Sequence, residues 1–461
     1  YLQEQGREVG RLARGLYPGG VEIPAGPQQP ALALRQTRAA VDTGALALFE
    51  AAAQGGDAFA RADILHRQDP ENAWDLLEVK ASGRKDAADL AGGPEDFLWD
   101  LAFQRHAFAS AGYAMGRSRL ALVNKDYIRQ GPVDPAAFFT VTDLSQAVEA
   151  LQAKVPALLR AMAKAGQSAA APERAIGAHC SLPHACPFQG QCWPKPAADS
   201  VFNLRSLPQS RKLALFHAGR RSFSQLGREK LGDWQAKQVK AQRSGKPFID
   251  KAKIRGFLAG LRYPLFHLDF ETLNTAIPPF DGVRPFAQTA FQFSLHVQSA
   301  PGARPAHFDY LPKDASDPRG PLLQSLLELL GDQGTILAYN APFEKGRLED
   351  LAAAFPQRRE EVEAALRRFQ DLITPFKNGW LVHPAFEGSV SIKAVLPALV
   401  PSMSYDGLAV ADGGGAIRAY AEFLRPGTTA KRRREIREDL LEYCGQDTLA
   451  MVKVLEALER L

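Results

Sequence analysis

Leu265-Phe-His-Leu-Asp269-Phe-Glu271 is a run of strand length, apolar except for His267 and two acids at alternate positions. Side chains alternate faces along a strand, so Asp269 and Glu271 point the same way. Two carboxylates side by side on a buried strand lose hydration and repel each other. A divalent cation is the common remedy. A carboxylate at a strand end is the plainer alternative, and an Asp-x-Glu triplet alone does not decide between them.

Two later segments add weight. Ile336-Leu-Ala-Tyr-Asn340-Ala-Pro342-Phe-Glu344 reads as a strand turning at Asn340 into a helix that begins near Pro342, a favoured first-turn residue. Glu344 then lies in the first turn, near the C-terminal end of the strand, where α/β sites gather. Complementing the helix dipole is its other available role. Further on, Arg437-Glu-Asp-Leu-Leu-Glu-Tyr443-Cys-Gly-Gln-Asp447 reads as helix, with Tyr443 and Asp447 four apart on one face. From Tyr263 onward, strand-like runs alternate with amphipathic helices, the texture of an α/β domain.

A second acidic pattern lies upstream. Ala60-Arg61-Ala-Asp63-Ile-Leu-His-Arg67 and Trp74-Asp-Leu-Leu-Glu78-Val-Lys80 read as two strands joined by a turn at Asp69 to Asn72. Glu78 and Lys80 share a face, which in isolation is most often a solvated one. Gln104 sits on the following helix (Phe97 to Phe108), and Glu50 is expected on the preceding helix as a weaker further ligand.

At 461 residues the chain is long for one core, and its length suggests about three domains. With 46% hydrophobic and 23% charged residues and no low-complexity tract, it belongs to the folded class, not the disordered one. No uncharged apolar stretch reaches the ~18 residues needed to span a bilayer. The first residues carry no apolar secretion-signal core, so a cytoplasmic location and no membrane partner are expected. The net charge of +5, from 56 basic and 51 acidic side chains, permits a nucleic-acid partner without requiring one. Three of the four cysteines, Cys180, Cys186 and Cys192, crowd into thirteen residues. In that compartment the spacing reads as metal or cluster ligation, not as a disulfide framework. Pro194 to Asp199 looks like a linker, and residues 200–262 read as helical and basic. Within them Leu213 to Gly219 followed by Phe223 to Leu226 has a helix-hairpin-helix look, although a plain helical linker weighs more.

The order Asp-x-Glu, Asn-Ala-Pro-Phe-Glu and Tyr-x-x-x-Asp over roughly 180 residues resembles the DEDD exonuclease superfamily, with its DnaQ-like, RNase H-like fold. The Tyr-x-x-x-Asp ending is similar to the DEDDy subclass that holds ribonuclease D and the proofreading domain of DNA polymerase I. More narrowly, HLDFET, YNAPFEK, GSVSIKAVLP and YCGQDTLAMV resemble a poorly characterised bacterial family that fuses this domain to a RecB-type nuclease, and the likeness spans almost the whole chain. The resemblance implies a 3′–5′ exonuclease in which Asp269, Glu271 and Asp447 hold Mg²⁺ or Mn²⁺, with Asp269 bridging. Glu344 would support them, and Tyr443 would orient the attacking water. Glu344 stands where the superfamily usually has Asp, and a longer arm would reach a metal differently. Asp371 and Lys393 lie in matching segments, but helix capping and a solvated charge explain them equally well.

Asp63 followed by Glu78-x-Lys80 resembles the PD-(D/E)xK core of RecB-type nucleases. On that likeness Asp63 and Glu78 bind Mg²⁺, and Lys80 steadies or activates water. Gln104 matches the glutamine of the family's QxxxY motif, with Phe108 where tyrosine belongs. His179-Cys180-Ser-Leu-Pro-His184-Ala-Cys186-Pro-Phe-Gln-Gly-Gln-Cys192 resembles the clasp of iron–sulfur RecB-type nucleases, which close a [4Fe–4S] cluster with three late cysteines and one early one. This chain has no early cysteine, so the fourth ligand lies outside it on that reading. Zinc held by the three thiols with His179 or His184 is the rival, and unliganded buried thiols the bland reading.

The expected architecture is multidomain α/β. Residues 1–198 form a PD-(D/E)xK restriction-endonuclease-like domain with the cysteine cluster, 199–262 a helical connector, and 263–461 an RNase H-like exonuclease domain. The expected function is metal-dependent hydrolysis of nucleic acid, DNA favoured over RNA, in repair or phage defence. Two alternatives stay open: a catalytically silent nucleic-acid-binding scaffold, and an exonuclease whose N-terminal domain only clamps DNA.

Overall fold

The computed structural model describes residues 1–83, 95–171, 173–182, 184–195, 197–227, 229–405 and 407–461. The fold is mixed α/β and divides into two compact units. Unit 1 comprises Tyr1–Ala175 with Asn274–Ala287, and unit 2 comprises Ile176–Leu273 with Gln288–Leu461.

Unit 1 is built on a six-stranded sheet in sequential order: β1 (Val21–Glu22), β2 (Ala47–Gly55), β3 (Ala58–His66), β4 (Trp74–Lys80), β5 (Met115–Val123) and β6 (Phe139–Asp143). Strands β2, β3 and β4 form an antiparallel meander, and β5 returns parallel to β4. Helix α1 (Glu95–Ser110) lies on the crossover between β4 and β5. Ala51, Ala52 and Ala53 of β2 are buried in one core with Ala102 and Ala107 of α1. Side chains this small let helix and sheet approach closely. Glu50 lies on β2 and not on a helix. The run Ala47 to Ala53 is rich in a strong helix former, but pairing across the sheet overrides that preference. Glu50 takes φ +59, and the β2–β3 pairing passes from Phe49 opposite Ile64 to Ala51 opposite Ala62. The inserted segment joins this unit's core: Ala276 is buried with Val9 and Phe138, and Gln5 accepts the Ala276 N–H at 2.7 Å.

Unit 2 centres on β8 (Leu265–Leu273) in a five-stranded sheet of order β10-β9-β8-β11-β12, the numbering continuing from β7 (Phe248–Ile249). Its other strands are β9 (Thr289–Gln298), β10 (Ala306–Tyr310), β11 (Thr335–Ala338) and β12 (Phe369–Asp371). β8 pairs antiparallel with β9 and parallel with β11, so it is enclosed on both edges. That explains a central strand apolar on both faces apart from His267 and its acids. Four helices matter to the site: α2 (Pro342–Ala354), α3 (Ile392–Leu399), α4 (Gly413–Leu424) and the 30-residue α5 (Ala430–Glu459).

Two expected boundaries move. The cysteine segment, expected within 1–198, falls in unit 2, because Ile176 and Cys180 are buried with Leu213 of the helical connector. Residues 274–287, expected within 263–461, fold into unit 1. The connector has a helix at Gln209–His217 and left-handed Gly219, followed by one 3₁₀ turn at Phe223–Leu226 where a hairpin would need a second α-helix. Among the described residues no helix is long and apolar enough to cross a membrane.

Candidate metal centre and a second acidic site

A cavity of about 400 Å³ in unit 2 is lined by Asp269, Glu271, Glu344, Lys393, Tyr443 and Asp447, among others. The four acids come from three separate elements. Asp269 and Glu271 share a face of β8, and the β8–β9 register shifts between Glu271 and Thr272. Asn340, at φ +79, turns the chain out of β11 so that Pro342 opens α2 and Glu344 falls in its first turn. Tyr443 and Asp447 lie one turn apart on α5.

The electrostatics of this cavity are those of acids held together against their repulsion. Burial, then the charges of Asp447, Glu271 and Glu344, push Asp269 well above the usual carboxylate range. Burial and Asp447 raise Glu271 likewise, with Lys393 opposing. Burial alone accounts for most of the rise of Glu344 to about 8. Glu344 is 2% exposed, and its Oε2 has no hydrogen-bond partner. Burial raises Asp447 as well, against the Tyr405 hydroxyl and Lys393. An orphaned buried carboxylate oxygen calls for a missing partner. Asp269, Glu271 and Cys444 each place one ligand atom within 4.8 Å of the others, so a cation fits this donor set. Oxygen donors of this kind suit Mg²⁺ or Mn²⁺, and the Cys444 thiol adds a softer donor beside them.

The surrounding residues are settled by geometry. Asp371 caps neither neighbouring helix but ties two stretches of backbone: one oxygen accepts the N–H of Asn340 at 3.0 Å and of Ile373 at 3.2 Å. Lys393 is half-buried and lines the cavity, 3.3 Å from the Tyr443 hydroxyl. Two residues escaped sequence reasoning. Tyr405 donates to Asp447 at 2.7 Å, and the Cys444 thiol donates to Asp269 at 3.6 Å. Tyr405 lies in a loop with no local signal. Cys444 carried one, since it sits between Tyr443 and Asp447.

Residues 266–391, the part of the chain that carries Asp269, Glu271 and Glu344, match a family described as a domain of unknown function (DUF2779). Two uncharacterized Mycoplasma proteins are similar over less than half of the chain. The MG366 homolog of Mycoplasma pneumoniae is 27% identical over 221 residues, 44% of this chain and 33% of its own. MG366 of Mycoplasma genitalium is 25% identical over 236 residues, 47% and 35% respectively. The matched stretch thus spans about a third of the length of each relative. No solved structure matches.

Unit 1 holds a second acidic site. Lys80 Nζ lies 2.6 Å from Glu78 Oε1 and 2.6 Å from Asp100 Oδ2. Gln104 donates to Glu78 at 2.7 Å and to Asp100 at 3.1 Å. Asp63 accepts the Val79 N–H at 2.7 Å, just beyond the Ile64–Leu77 end of the β3–β4 pairing. Burial lifts Asp63 to about 6 and, with the Asp63 charge, Glu78 to about 8. Burial works against the charge on Lys80, but Glu78 and Asp100 outweigh it and raise its pKa. Glu50 is held 3.3 Å from Arg61, and its charge contributes to the shift of Asp63. Asp100 was missed, although it sits one helical turn before Gln104 and so shares its face.

Of the three late cysteines, Cys180 is buried, Cys186 half-buried and Cys192 exposed. Among the described residues, the group whose ligand atoms converge on a single-ion position is Asp269, Glu271 and Cys444.

Proposed function

We propose that this chain is a divalent-metal-dependent nuclease. Its unit 2 cavity removes nucleotides from 3′ ends, and the acid–lysine cluster of unit 1 is a second phosphodiester-cleaving site. The observation that carries the reading is the convergence of Asp269, Glu271, Glu344 and Asp447 with Tyr443 on one cavity. A mixed sheet whose central strand bears two of the acids agrees with an RNase H-like domain.

On this reading Asp269, Glu271 and Asp447 would hold the metal, with the Cys444 thiol beside Asp269 and Glu344 in support, and the metal would supply activation of water and charge relief on the phosphoryl group. Tyr443 presents its hydroxyl to the attacking water, and Lys393 fixes that hydroxyl from the other side. Tyr405 holds Asp447 in one orientation. Phe343 and Ile417 add apolar wall to the cavity, suited to the sugar and base of a terminal nucleotide. In unit 1, Asp63 and Glu78 are the metal-binding pair, and Lys80, kept cationic by its two carboxylates, stabilises negative charge. No step is assigned to Cys180, Cys186 or Cys192. Iron and zinc analysis of anaerobically purified protein tests whether a [4Fe–4S] cluster or zinc is bound there.

The deciding experiment compares Asp269→Ala and, separately, Lys80→Ala with the unaltered chain on 5′- and 3′-labelled single strands of DNA and RNA, with Mg²⁺ or Mn²⁺. Loss of stepwise 3′ shortening in D269A supports the exonuclease. Loss of a residual cleavage in K80A supports the second site. Degradation unchanged by both substitutions sinks the assignment.

A further inference from the structure

Lys393 is the one cation among the residues lining the unit 2 cavity, against four carboxylates. Its backbone is fixed at the start of α3, whose Val395 and Leu396 are buried in the core beneath. Its ammonium lies between two aromatic rings, 5.2 Å from the centre of Tyr405 and 5.1 Å from that of Tyr443. It donates to the Ala411 carbonyl at 2.6 Å and to the Tyr443 hydroxyl at 3.3 Å. An ammonium has three N–H donors, so one is left over.

No carboxylate lies close enough to Lys393 to form an ion pair with it among the described residues. That is unusual for a lysine set among four acids. The two rings account for it, because they hold the charge by cation–π attraction without neutralising it. The cavity's charge balance gives the free cation a purpose. Four acids line the cavity with one ammonium; once bound cations draw the protons off, they would together carry three negative charges. Two divalent ions convert that to one positive charge, equal and opposite to a single phosphodiester. With a neutral side chain at 393 the loaded cavity would carry no net charge, and its attraction for the substrate phosphate would weaken.

We infer that Lys393 is a catalytic residue that contacts a non-bridging oxygen of the scissile phosphodiester, held for that contact by the Tyr405 and Tyr443 rings. The inference rests on the nuclease reading of the cavity. It also distinguishes two roles for one residue: a charge presented to substrate, and a mere tie to the Ala411 carbonyl.

The test uses the full chain with Lys393→Met, Lys393→Arg and Asp269→Ala. Anisotropy reads binding of a single-stranded oligonucleotide with calcium in place of the supporting metal, as a function of salt. Steady-state kinetics with Mn²⁺ read kcat and KM, and calorimetry reads Mn²⁺ affinity. K393M is expected to bind the strand roughly tenfold more weakly, with a plot of log affinity against log salt shallower by about 0.7, the loss of one phosphate contact. Its kcat should fall by about 10²-fold, while Mn²⁺ affinity does not weaken. K393R should keep the wild-type salt slope. If K393M unfolds, Lys393→Gln takes its place in the same comparison: a slope shallower than that of K393R supports the inference, and a slope equal to it overturns it. If the unaltered chain shortens the strand, D269A does not, and K393M keeps wild-type affinity and slope, the inference fails and the nuclease reading stands. If the unaltered chain neither binds nor shortens the strand, both fall.

Discussion

Tyr405 and Asp447, 42 residues apart, share a 2.7 Å hydrogen bond in which the phenol donates to the carboxylate. The donor is neutral, so it steadies the acid without cancelling the charge a cation would seek. Tyr405→Phe deletes that bond and leaves the ring beside Lys393. Expected are a loss of about 1 kcal/mol of stability, modest because Tyr405 is partly exposed, and roughly tenfold slower strand shortening. Thermal melting and single-turnover rates measure the two. An unchanged rate would remove Tyr405 from the site.

Glu344 combines burial with an unpartnered oxygen. Glu344→Gln removes the ionisable group at almost constant volume. The metal-free protein should gain on the order of 1 kcal/mol, while metal-supported activity drops by about 10²-fold or more. Denaturant midpoints in chelator, set beside turnover, show whether stability and activity move in opposite directions. A fall in both would mean that Glu344 is a structural acid.

The raised carboxyls make stability depend on pH. Glu344 and Glu78 titrate near about 8 in the fold, against about 4.3 in an unfolded chain. A raised pKa contributes stability that is whole below the unfolded value and is lost as pH climbs through the folded one. His267, lowered to about 3 by burial, and His296, lowered to about 4, act oppositely. Their contribution is whole above about 6.5 and lost as pH falls. Between about pH 6.5 and about pH 8 only the acids act, so the chelated protein should melt lower at the alkaline end. Added Mn²⁺ should raise the melting temperature more there. Equal metal shifts at both pH values would contradict the electrostatic account.

Lys80 is held by Glu78 and Asp100 at 2.6 Å each. An ammonium so placed stays protonated through neutral pH and cannot serve as a general base. In a D269A background, which isolates unit 1, the cleavage rate should show no inflection from this lysine below about pH 10. Asp100→Asn should weaken the anchoring and slow cleavage by about tenfold. A basic limb that disappears in Lys80→Met would reverse the assignment.

The parts legible in the sequence were those with strong periodicity. Asp269 and Glu271 share a strand face, Tyr443 and Asp447 a helix face, and Pro342 opens its helix, as spacing alone required. Glu50 went wrong because an alanine-rich run favours helix locally while sheet pairing decides its state. The orientation of Lys393 could not be read at all. Its neighbours Tyr405 and Tyr443 lie 12 and 50 residues away, and the contact exists only after folding.

The strip Asn274–Ala287 leaves the polypeptide at the end of β8 and re-enters at β9, yet belongs with unit 1. A gene cut after Ala175 would therefore yield a protein short of one of its own pieces. Val9 and Phe138 would lose Ala276 from their cluster, Gln5 its amide partner, and Arg129 the Pro278 carbonyl it holds at 2.7 Å. Proteolytic nicking between residues 175 and 176 would not set the first unit free either, since that strip stays threaded into the second unit's sheet strands by ordinary peptide bonds.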